Sequence, residues 1–445
     1  MPSPSPPRAL PAPGPWALVL LALLVSLPLA LAPGYFSHDE LQWAARAESL
    51  RHVPWWPAAD QFQFRPLTFN LWMALSRALF AQPQAFHAVL VAWGALNAGL
   101  VCAVGRRFGM TAWGAAIGAL LFVLSPYAVY VHGWVGTIAD LIWVSAALVV
   151  AWCALRMTVA WQIGVLAFVV TAIALLGKEA AVSIPLLACV GVVFDRARRV
   201  RWGAVVIGSG LAATAFVLWR LPALLHAPRD GVAYVPSLAN VPMRWIEYQL
   251  FTPIIGRMEA STVFLDGVLR WPVLVAIVVC IAVFAALWRA RPVLAWVWLA
   301  AGVASLAPVL LLGQAWNHYA YAYAIVTALC LATAWPMTSG WRRCALLAFG
   351  VLSVLHGGFV MYRMVYVAKV QAVFSPALVR AVDGHTAVDP LRLRVGDGAK
   401  PWIFERLTHE IPGIGTRVVL VETAPDYVIQ PDGTLTAART SLPTQ

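Results

Sequence analysis

The sequence predicts an all-α polytopic membrane protein, and three observations lead to this fold class. Hydrophobic residues make up 61% of the 445 residues and charged residues only 11%, whereas about a quarter of an ordinary soluble chain is charged. The mean hydropathy is +0.78. The apolar residues form long unbroken runs, which favours membrane helices over the alternating strands of a membrane barrel. A set of soluble domains is excluded, because it would expose more apolar surface than water tolerates.

Eleven apolar runs are predicted to cross the membrane as helices. Several of them are shorter than the ~20 residues that a span needs, so their ends are approximate. The first run could also be a cleaved signal peptide, because Arg8 precedes it and Ala30-Leu31-Ala32 ends it. The predicted spans are residues 16–32, 86–105, 112–131, 139–155, 162–176, 180–194, 202–219, 273–288, 292–312, 319–335 and 344–361.

The arginines orient these spans. Short cytoplasmic loops of membrane proteins are enriched in Lys and Arg, and here every second connection is basic. With the amino terminus inside, all these connections are expected in the cytoplasm and the carboxyl terminus outside. The net charge of +12 is interpreted in the same way and not as a sign of nucleic-acid binding. The arginines concerned are Arg106, Arg107, Arg156, Arg196, Arg198, Arg199, Arg201, Arg289, Arg291, Arg342 and Arg343.

Acidic residues show the opposite distribution. Eleven of them precede the polar tail, and only Asp195 falls on the basic side. The others lie on the outer side, chiefly in a first outer loop (residues 33–85) and a long outer loop (residues 221–272). Both loops are rich in aromatic residues and are expected to contain interfacial helices. Ionisable groups beside membrane helices are costly and are candidates for function, so a working site is expected on the outer face.

The chain is predicted to divide after the last span. Residues 1–364 form the transmembrane domain, and residues 365–445 form a small extracytoplasmic domain, either α/β or partly disordered. Short strands are expected in this tail at residues 417–422 and 427–430.

The first outer loop contains two motifs with functional side chains. In His38-Asp39-Glu40 the two carboxylates directly follow the first span, where dehydration would raise their basicity as a general base requires. They could instead only cap a helix. In Phe64-Arg65-Pro66-Leu67-Thr68, Arg65 could offer a guanidinium to a phosphate group or simply extend from the apolar surface to water.

Two further motifs join spans on the outer side. The first is the segment His132-Gly133-Trp134-Val135-Gly136-Thr137-Ile138-Ala139-Asp140. Its His132 and Asp140 could pair structurally, orient a sugar or contribute to a divalent metal site. Two side chains alone do not define a metal site. In Gly177-Lys178-Glu179, Lys178 could bind a phosphate, or the charged residues could make a structural salt bridge in a helical hairpin.

A weaker signal comes from Trp316-Asn317-His318-Tyr319, again on the outer side. Its position there makes His318 and Tyr319 candidates for contact with a substrate.

Taken in order, these motifs resemble the GT-C glycosyltransferases that use polyprenyl-phosphate sugars. This branch includes the protein O-mannosyltransferases, the aminoarabinose transferase of lipid A and the tetratricopeptide-bearing O-mannosyltransferases. The resemblance to the last group extends to about residue 200 and is clearest in His132…Gly136…Asp140 and Gly177-Lys178-Glu179. Asn317-His318-Tyr319 resembles the later Arg-Tyr motif with His in place of Arg. The tail lacks a 34-residue helical repeat.

The resemblance implies a GT-C-like catalytic domain in residues 1–364. It also implies a hexosyl- or pentosyltransferase similar to the mannosyltransferases, located in a bacterial inner membrane and acting in the cell envelope. Asp39 would accept the proton of an acceptor hydroxyl that attacks the anomeric carbon with inversion, and Glu40 would assist. Arg65 and Lys178 would bind the donor phosphate, because cationic stabilisation in a dry site is usually the largest catalytic contribution. The residues that would position the substrates are His132, Asp140, Glu179, His318 and Tyr319.

The expected partners are a polyprenyl-phosphate-sugar donor, a protein, lipid or polysaccharide acceptor, and membrane lipids, with no nucleic acid. A divalent metal ion is considered as a cofactor. Two other functions are considered as well. The first is a transporter or flippase of lipid-linked sugars, which would usually place ionisable residues at mid-bilayer on broken helices, whereas the charges here are predicted on the outer side. The second is a non-catalytic assembly subunit, which would not require the mixed charges of the outer face.

Overall fold

The computed structural model confirms an all-α membrane part followed by a small sheet. It describes residues 14–32, 63–79, 82–225, 235–405, 408 and 414–438, and the structural statements below refer to these residues. The helices of the membrane part are α1 (Pro15–Leu31), α2 (Pro66–Leu79), α3 (Pro83–Arg107), α4 (Ala112–Val123), α5 (Pro126–Gly133), α6 (Ile138–Arg156), α7 (Ala160–Gly177), α8 (Ser183–Phe194), α9 (Arg199–Leu225), α10 (Val241–Phe251), α11 (Trp271–Ala290), α12 (Pro292–Leu310), α13 (Tyr321–Ala334) and α14 (Trp341–Gly384).

Ten of the eleven predicted spans fall on one helix each, and the span 112–131 covers both α4 and α5. Within the described ranges, eight helices are long and apolar enough to cross a membrane, and nine if the bent pair of α4 and α5 counts as one span. Two shorter apolar helices, Pro15–Leu31 and Glu179–Phe194, correspond to the first and sixth predicted spans. The 17 residues of α1 extend about 25 Å at 1.5 Å per residue, somewhat less than the ~30 Å of a hydrocarbon core.

The bend between α4 and α5 comes from a Ser-Pro step. The two helix axes differ by 61°, because Pro126 lacks a backbone N–H and occupies the first turn of a new helix. The Ser125 hydroxyl accepts a hydrogen bond from the Ala128 amide at 3.2 Å. Gly357 of α14 packs against this break, and a Cβ there would lie 1.9 Å from the Leu124 carbonyl oxygen. The bend carries His132 at the end of α5 into the bundle.

Helices α7 and α9 cross at two glycines. A Cβ on Gly208 would lie 2.0 Å from the carbonyl oxygen of Gly164, so the backbones touch at this point. Small residues allow such close approach, and in membranes helix packing depends on it.

The carboxyl-terminal part of the chain packs on the last helix. Helix α14 is 44 residues long and continues past residue 365, where the tail domain is predicted to begin. Its second half forms a separate core with the sheet, which includes Val370, Phe374 and Leu378. The tail contains β1 (Leu391–Val395), α15 (Pro401–Phe404), β2 (Val418–Leu420), β3 (Tyr427–Ile429) and β4 (Leu435–Ala437).

The sheet has the order β2-β1-β3-β4. Strand β1 is parallel to β2 and β3, and β4 is antiparallel to β3. Strands β2 and β3 lie within the two strand segments predicted from the sequence, whereas β1 and β4 were not predicted. The described tail is therefore of mixed α and β structure.

Two ends of the bundle carry different charges. Asp140 is in the first turn of α6 and Arg156 in the last, and a rise of 1.5 Å per residue separates them by roughly 24 Å along the helix. A guanidinium nitrogen of Arg198 donates to the Arg107 carbonyl at 3.4 Å, which brings two basic connections together. We call this the arginine end and the other the site end. That the arginine end faces the cytoplasm stays a prediction from the positive-inside rule.

Substitution of Gly208 by Ala is expected to destabilise the fold, because the new methyl group would collide with the Gly164 backbone. A clash with backbone in a packed interior costs about 1–3 kcal/mol. The matched control is Gly210→Ala on the same helix, since a Cβ at Gly210 meets no atom within 4 Å. Thermal unfolding of the two variants in detergent measures the difference, and equal melting temperatures would contradict this packing.

Candidate functional site

Charged and aromatic side chains from four segments meet at the site end. Each segment lies where a helix begins, ends or breaks into a 3-10 turn, as at Val135–Thr137, Glu179–Val182 and Asn317–Ala320. Irregular backbone of this kind is tolerated near membrane depth when protein surrounds it. The charged cluster consists of Arg65, Asp140, Lys178 and Glu179.

The most buried members of the charged cluster are Lys178 and Asp140. The Nζ atom of Lys178 lies 2.6 Å from both carboxylate oxygens of Asp140, and the indole N–H of Trp143 donates to the same carboxylate at 3.2 Å. The side chains are 4% and 1% exposed. Burial lowers the pKa of the Lys178 ammonium, and the charge of Asp140 opposes this shift. Removal of one partner would leave a buried charge uncompensated.

A glycine allows this ion pair to form. A Cβ on Gly177, the last residue of α7, would lie 2.8 Å from the side chain of Ile142 on α6. The missing side chain lets the end of α7 approach α6. Lys178 then leaves the helix in an extended conformation, with φ −158° and ψ 137°, and its side chain reaches Asp140.

Arg65 and Glu179 form the second ion pair of the cluster. Arg65 Nε lies 2.7 Å from Glu179 Oε2, and the side chains are 19% and 26% exposed. Burial lowers the pKa of the Arg65 guanidinium, but the attraction of Glu179, with smaller contributions from Tyr319 and Asp140, outweighs it and the net pKa is raised. The hydroxyl of Thr68 donates to the Gly177 carbonyl at 2.7 Å and holds the start of α2 against the same turn.

Arg65 and Glu179 keep hydrogen-bonding groups that no described residue uses and that can bind a ligand. Within the described chain Arg65 uses Nε to bind Glu179, which leaves its terminal Nη groups available. Glu179 Oε1 is buried and has no hydrogen-bond partner. Lys178 and Glu179 thus do not pair with each other as a hairpin salt bridge would require; each binds a different segment.

His132 lies deeper in the bundle than the charged cluster. Its Nε2 atom is 2.9 Å from the hydroxyl of Tyr321, and the ring is 1% exposed. A Cβ on Gly94 of α3 would lie 2.3 Å from His132 Nε2, so the ring fits only because Gly94 is a glycine. The alternative pairing of His132 with Asp140 is not formed. Its role in substrate positioning stays a prediction.

An aromatic wall, which we define as Trp134, His318 and Tyr319 together with Trp316 of the same segment, lies beside the charged cluster. The Lys178 ammonium is 4.8 Å from the centre of the Tyr319 ring. The rings of His318 and Tyr319 are 4.2 Å apart, and those of Trp134 and His318 are 5.4 Å apart and nearly perpendicular. Trp134 Nε1, Trp316 Nε1 and His318 Nδ1 are buried and find no hydrogen-bond partner among the described residues.

The segment 316–319 is held in place by its neighbours. The Asn317 side-chain oxygen accepts from the Ala260 amide at 2.8 Å, and its amide nitrogen donates to the Met258 carbonyl. The hydroxyl of Tyr248 on α10 donates to the Trp316 carbonyl at 3.3 Å. On the same helix burial raises the pKa of the Glu247 carboxyl to about 7, opposed by Arg244. This supporting layer was not predicted.

Sequence reasoning also missed Trp134 and Trp316 as site residues. Both lie within motifs already singled out, at positions 134 and 316 between or beside the predicted residues. Their position next to the predicted residues in the sequence is the signal that could have identified them. The predicted catalytic residues Asp39 and Glu40 lie outside the described residues, and their roles stay predictions.

The described side chains do not by themselves form a complete divalent-metal site. Among the described residues, no group of three or more His, Cys, Asp or Glu side chains could hold one. The carboxylates of Asp140 and Glu179 are engaged by Lys178 and Arg65.

Breaking the buried ion pair is expected to destabilise the protein strongly. Lys178→Met alone leaves a buried carboxylate and Asp140→Leu alone a buried ammonium without its partner, and either costs about 3–5 kcal/mol. The double variant Lys178→Met with Asp140→Leu should recover much of this loss. Thermal unfolding in detergent measures the cycle, with Lys369→Met at an exposed position of α14 as control. A double variant as unstable as the sum of the single ones would contradict the pairing.

Comparison with known proteins gives one structural likeness to report. No family model matches the sequence, and no curated protein matches it. The chain is similar to the cryo-EM structure of the arabinofuranosyltransferase AftD from Mycobacteria, with a TM-score of 0.44 and 16% sequence identity. The match covers 90% of this chain and 30% of that chain, so the present chain spans less than a third of the length of that structure.

Proposed function

We propose that this chain is a membrane glycosyltransferase of the extracytoplasmic face. It would transfer a sugar from a polyprenyl-phosphate-linked donor to an acceptor hydroxyl, with inversion at the anomeric carbon. The observation that carries the proposal is the meeting of Arg65, Lys178, Asp140 and Glu179 at the end of the bundle opposite the arginine end. The motif resemblance described above supplies the reaction class.

Arg65 is proposed to bind the phosphate of the donor. Its Nε–Glu179 bond fixes the plane of the guanidinium, and its terminal Nη groups can donate to two phosphate oxygens at once. The leaving group is a lipid phosphate, which is a weak base, so its departure needs charge stabilisation more than protonation. A preorganised cation in a site shielded from water supplies this stabilisation.

Lys178 is assigned a positioning role in this mechanism. We expected it on the donor phosphate, but its ammonium is buried and bound by both oxygens of Asp140. The pair is close to electrically neutral and contributes little attraction for a phosphate. It instead fixes the turn after α7, so that Glu179 is placed to orient Arg65.

The aromatic wall is proposed to bind the sugar. The unpartnered indole N–H groups of Trp134 and Trp316, the unpartnered Nδ1 of His318 and the unpartnered oxygen of Glu179 match sugar hydroxyls, which both donate and accept hydrogen bonds. Apolar ring faces with a few fixed polar groups are the usual composition of a small-molecule site. Asp39 would accept the proton of the acceptor hydroxyl, with Glu40 beside it in sequence.

Asp39→Asn is expected to abolish transfer while expression and membrane insertion are retained. A general base contributes about 100-fold or more to the rate. The assay incubates the purified full chain in detergent with synthetic polyprenyl-phosphate sugars and an envelope extract from cells that lack the protein. It measures released polyprenyl phosphate and glycosylated products by mass spectrometry.

The matched control for Asp39 is Asp60→Asn, which removes another carboxylate of the first outer loop and should retain activity. Turnover at the wild-type rate in Asp39→Asn would reject the catalytic assignment. Movement of the lipid-linked sugar across a vesicle membrane, without transfer in detergent, would support a flippase instead.

Arg65→Lys is expected to lower kcat/KM for the donor by about 10- to 100-fold, because a hydrogen bond to a charged group contributes about 1.5–3 kcal/mol and lysine lacks the second donor of the guanidinium. Arg270→Lys is the control. Arg270 lies on the same predicted outer side, and its Nε donates only to the Asp266 carbonyl within the described structure. An unchanged kcat/KM in Arg65→Lys would exclude a bidentate phosphate contact.

A further inference from the structure

An apolar groove lies at the arginine end, away from the charged cluster. It runs between α7 and α9, has a volume of about 480 Å³ and is lined entirely by apolar residues. Its floor is the contact of Gly164 with Gly208, where no side chain fills the space. Its walls include Trp161, Phe168 and Leu211.

The groove faces outward from the bundle. The side chains that form its walls are among the most exposed of the apolar residues on these helices, with Trp161 69%, Ile207 66% and Leu211 61% exposed. An exposed apolar surface on membrane-spanning helices contacts lipid. The lining residues of α7 begin at Ala160 and those of α9 at Ala204, both within the first turns after the arginine end, so the groove opens near the headgroup level of one leaflet.

Arg201, which has no carboxylate partner in the described chain, stands at the mouth of this groove. Arg201 precedes Ala204 by three residues on α9, which places it about one turn below and on a neighbouring part of the same face. Arg198 binds Asp195 at 3.1 Å, and the same carboxylate oxygen accepts from the Trp202 indole at 3.0 Å. Asp195 is therefore engaged, and in the described chain Arg199 and Arg201 have no carboxylate partner.

We propose that the groove and Arg201 bind an anionic phospholipid. One acyl chain would lie along the apolar lining, and Arg201 would bind the lipid phosphate, whereas Arg199 lies two residues earlier on the opposite side of the helix. Basic pockets between membrane helices on the cytoplasmic side are suited to anionic headgroups. A second copy of this chain fits less well, because its arginine end would bring further arginines against these and like charges repel. The site does not depend on the proposed function.

The test compares phosphatidylglycerol with phosphatidylcholine of identical acyl chains. The purified full chain is incubated with an equimolar mixture of the two in detergent, and bound lipid is counted by native mass spectrometry. We expect selective retention of phosphatidylglycerol. Arg201→Gln should weaken its binding by about fivefold, whereas Arg199→Gln on the opposite side of the helix should change it little. Ala204→Trp should displace the acyl chain by filling the groove.

The matched control is Arg289→Gln with Arg291→Gln, which removes two exposed arginines from another basic connection and should leave retention unchanged. The arginine variants change surface residues and keep the test valid if Ala204→Trp fails to fold. Equal retention of the two lipids would overturn the proposal. A loss of bound phosphatidylglycerol in the control variant as large as in Arg201→Gln would also overturn it. Dimers that form without bound lipid and are lost in Ala204→Trp would assign the groove to a second copy.

Discussion

The site end depends on one buried interaction, the ion pair of Lys178 and Asp140. Removing both charges from water is costly, and a pair of apolar side chains of similar size would often be as stable. The pair is therefore best understood by what it positions. It fixes the end of α7 against the start of α6, and the next residue, Glu179, then lies where it can bind Arg65. Arg65 belongs to a segment more than a hundred residues earlier in sequence, so the pair determines the geometry of the whole charged cluster.

The sequence predicted the membrane helices well because the length of an apolar run is a local property. It predicted charge partners less well. Lys178 and Glu179 are adjacent and suggested a salt bridge of the hairpin, yet they bind different segments. The cause is the extended conformation of Lys178, since successive side chains of an extended chain point to opposite sides. This conformation depends on Gly177, whose packing against Ile142 is a tertiary contact that no local pattern reveals.

The aromatic wall shows another limit of sequence reasoning. The chain has 22 tryptophans, and membrane proteins use tryptophan widely at the interface. A tryptophan at position 134 or 316 therefore does not by itself indicate a functional site. Their distinguishing property is an indole N–H that is buried without a partner, which only the packed structure reveals. In the tail, β1 alternates as Leu391-Arg392-Leu393-Arg394 and could have been recognised as a strand. Strand β4, Leu435-Thr436-Ala437, contains a single large apolar residue and therefore gives no such pattern.

The two ends of the bundle use cations in different ways. At the site end Arg65, Lys178, Arg244 and Arg257 each bind a carboxylate, so their orientations are fixed by the protein. At the arginine end Asp195 alone, among the residues described there, offers a carboxylate, and it binds Arg198. Topology requires only that positive charge remain on one side of the membrane, and mobile arginines meet that requirement. A cation that must act on a substrate needs a fixed direction as well, and a bound carboxylate provides it. The paired cations therefore distinguish the site end as the place where chemistry on a ligand is to be sought, whereas the unpaired arginines fit the surface of an anionic leaflet.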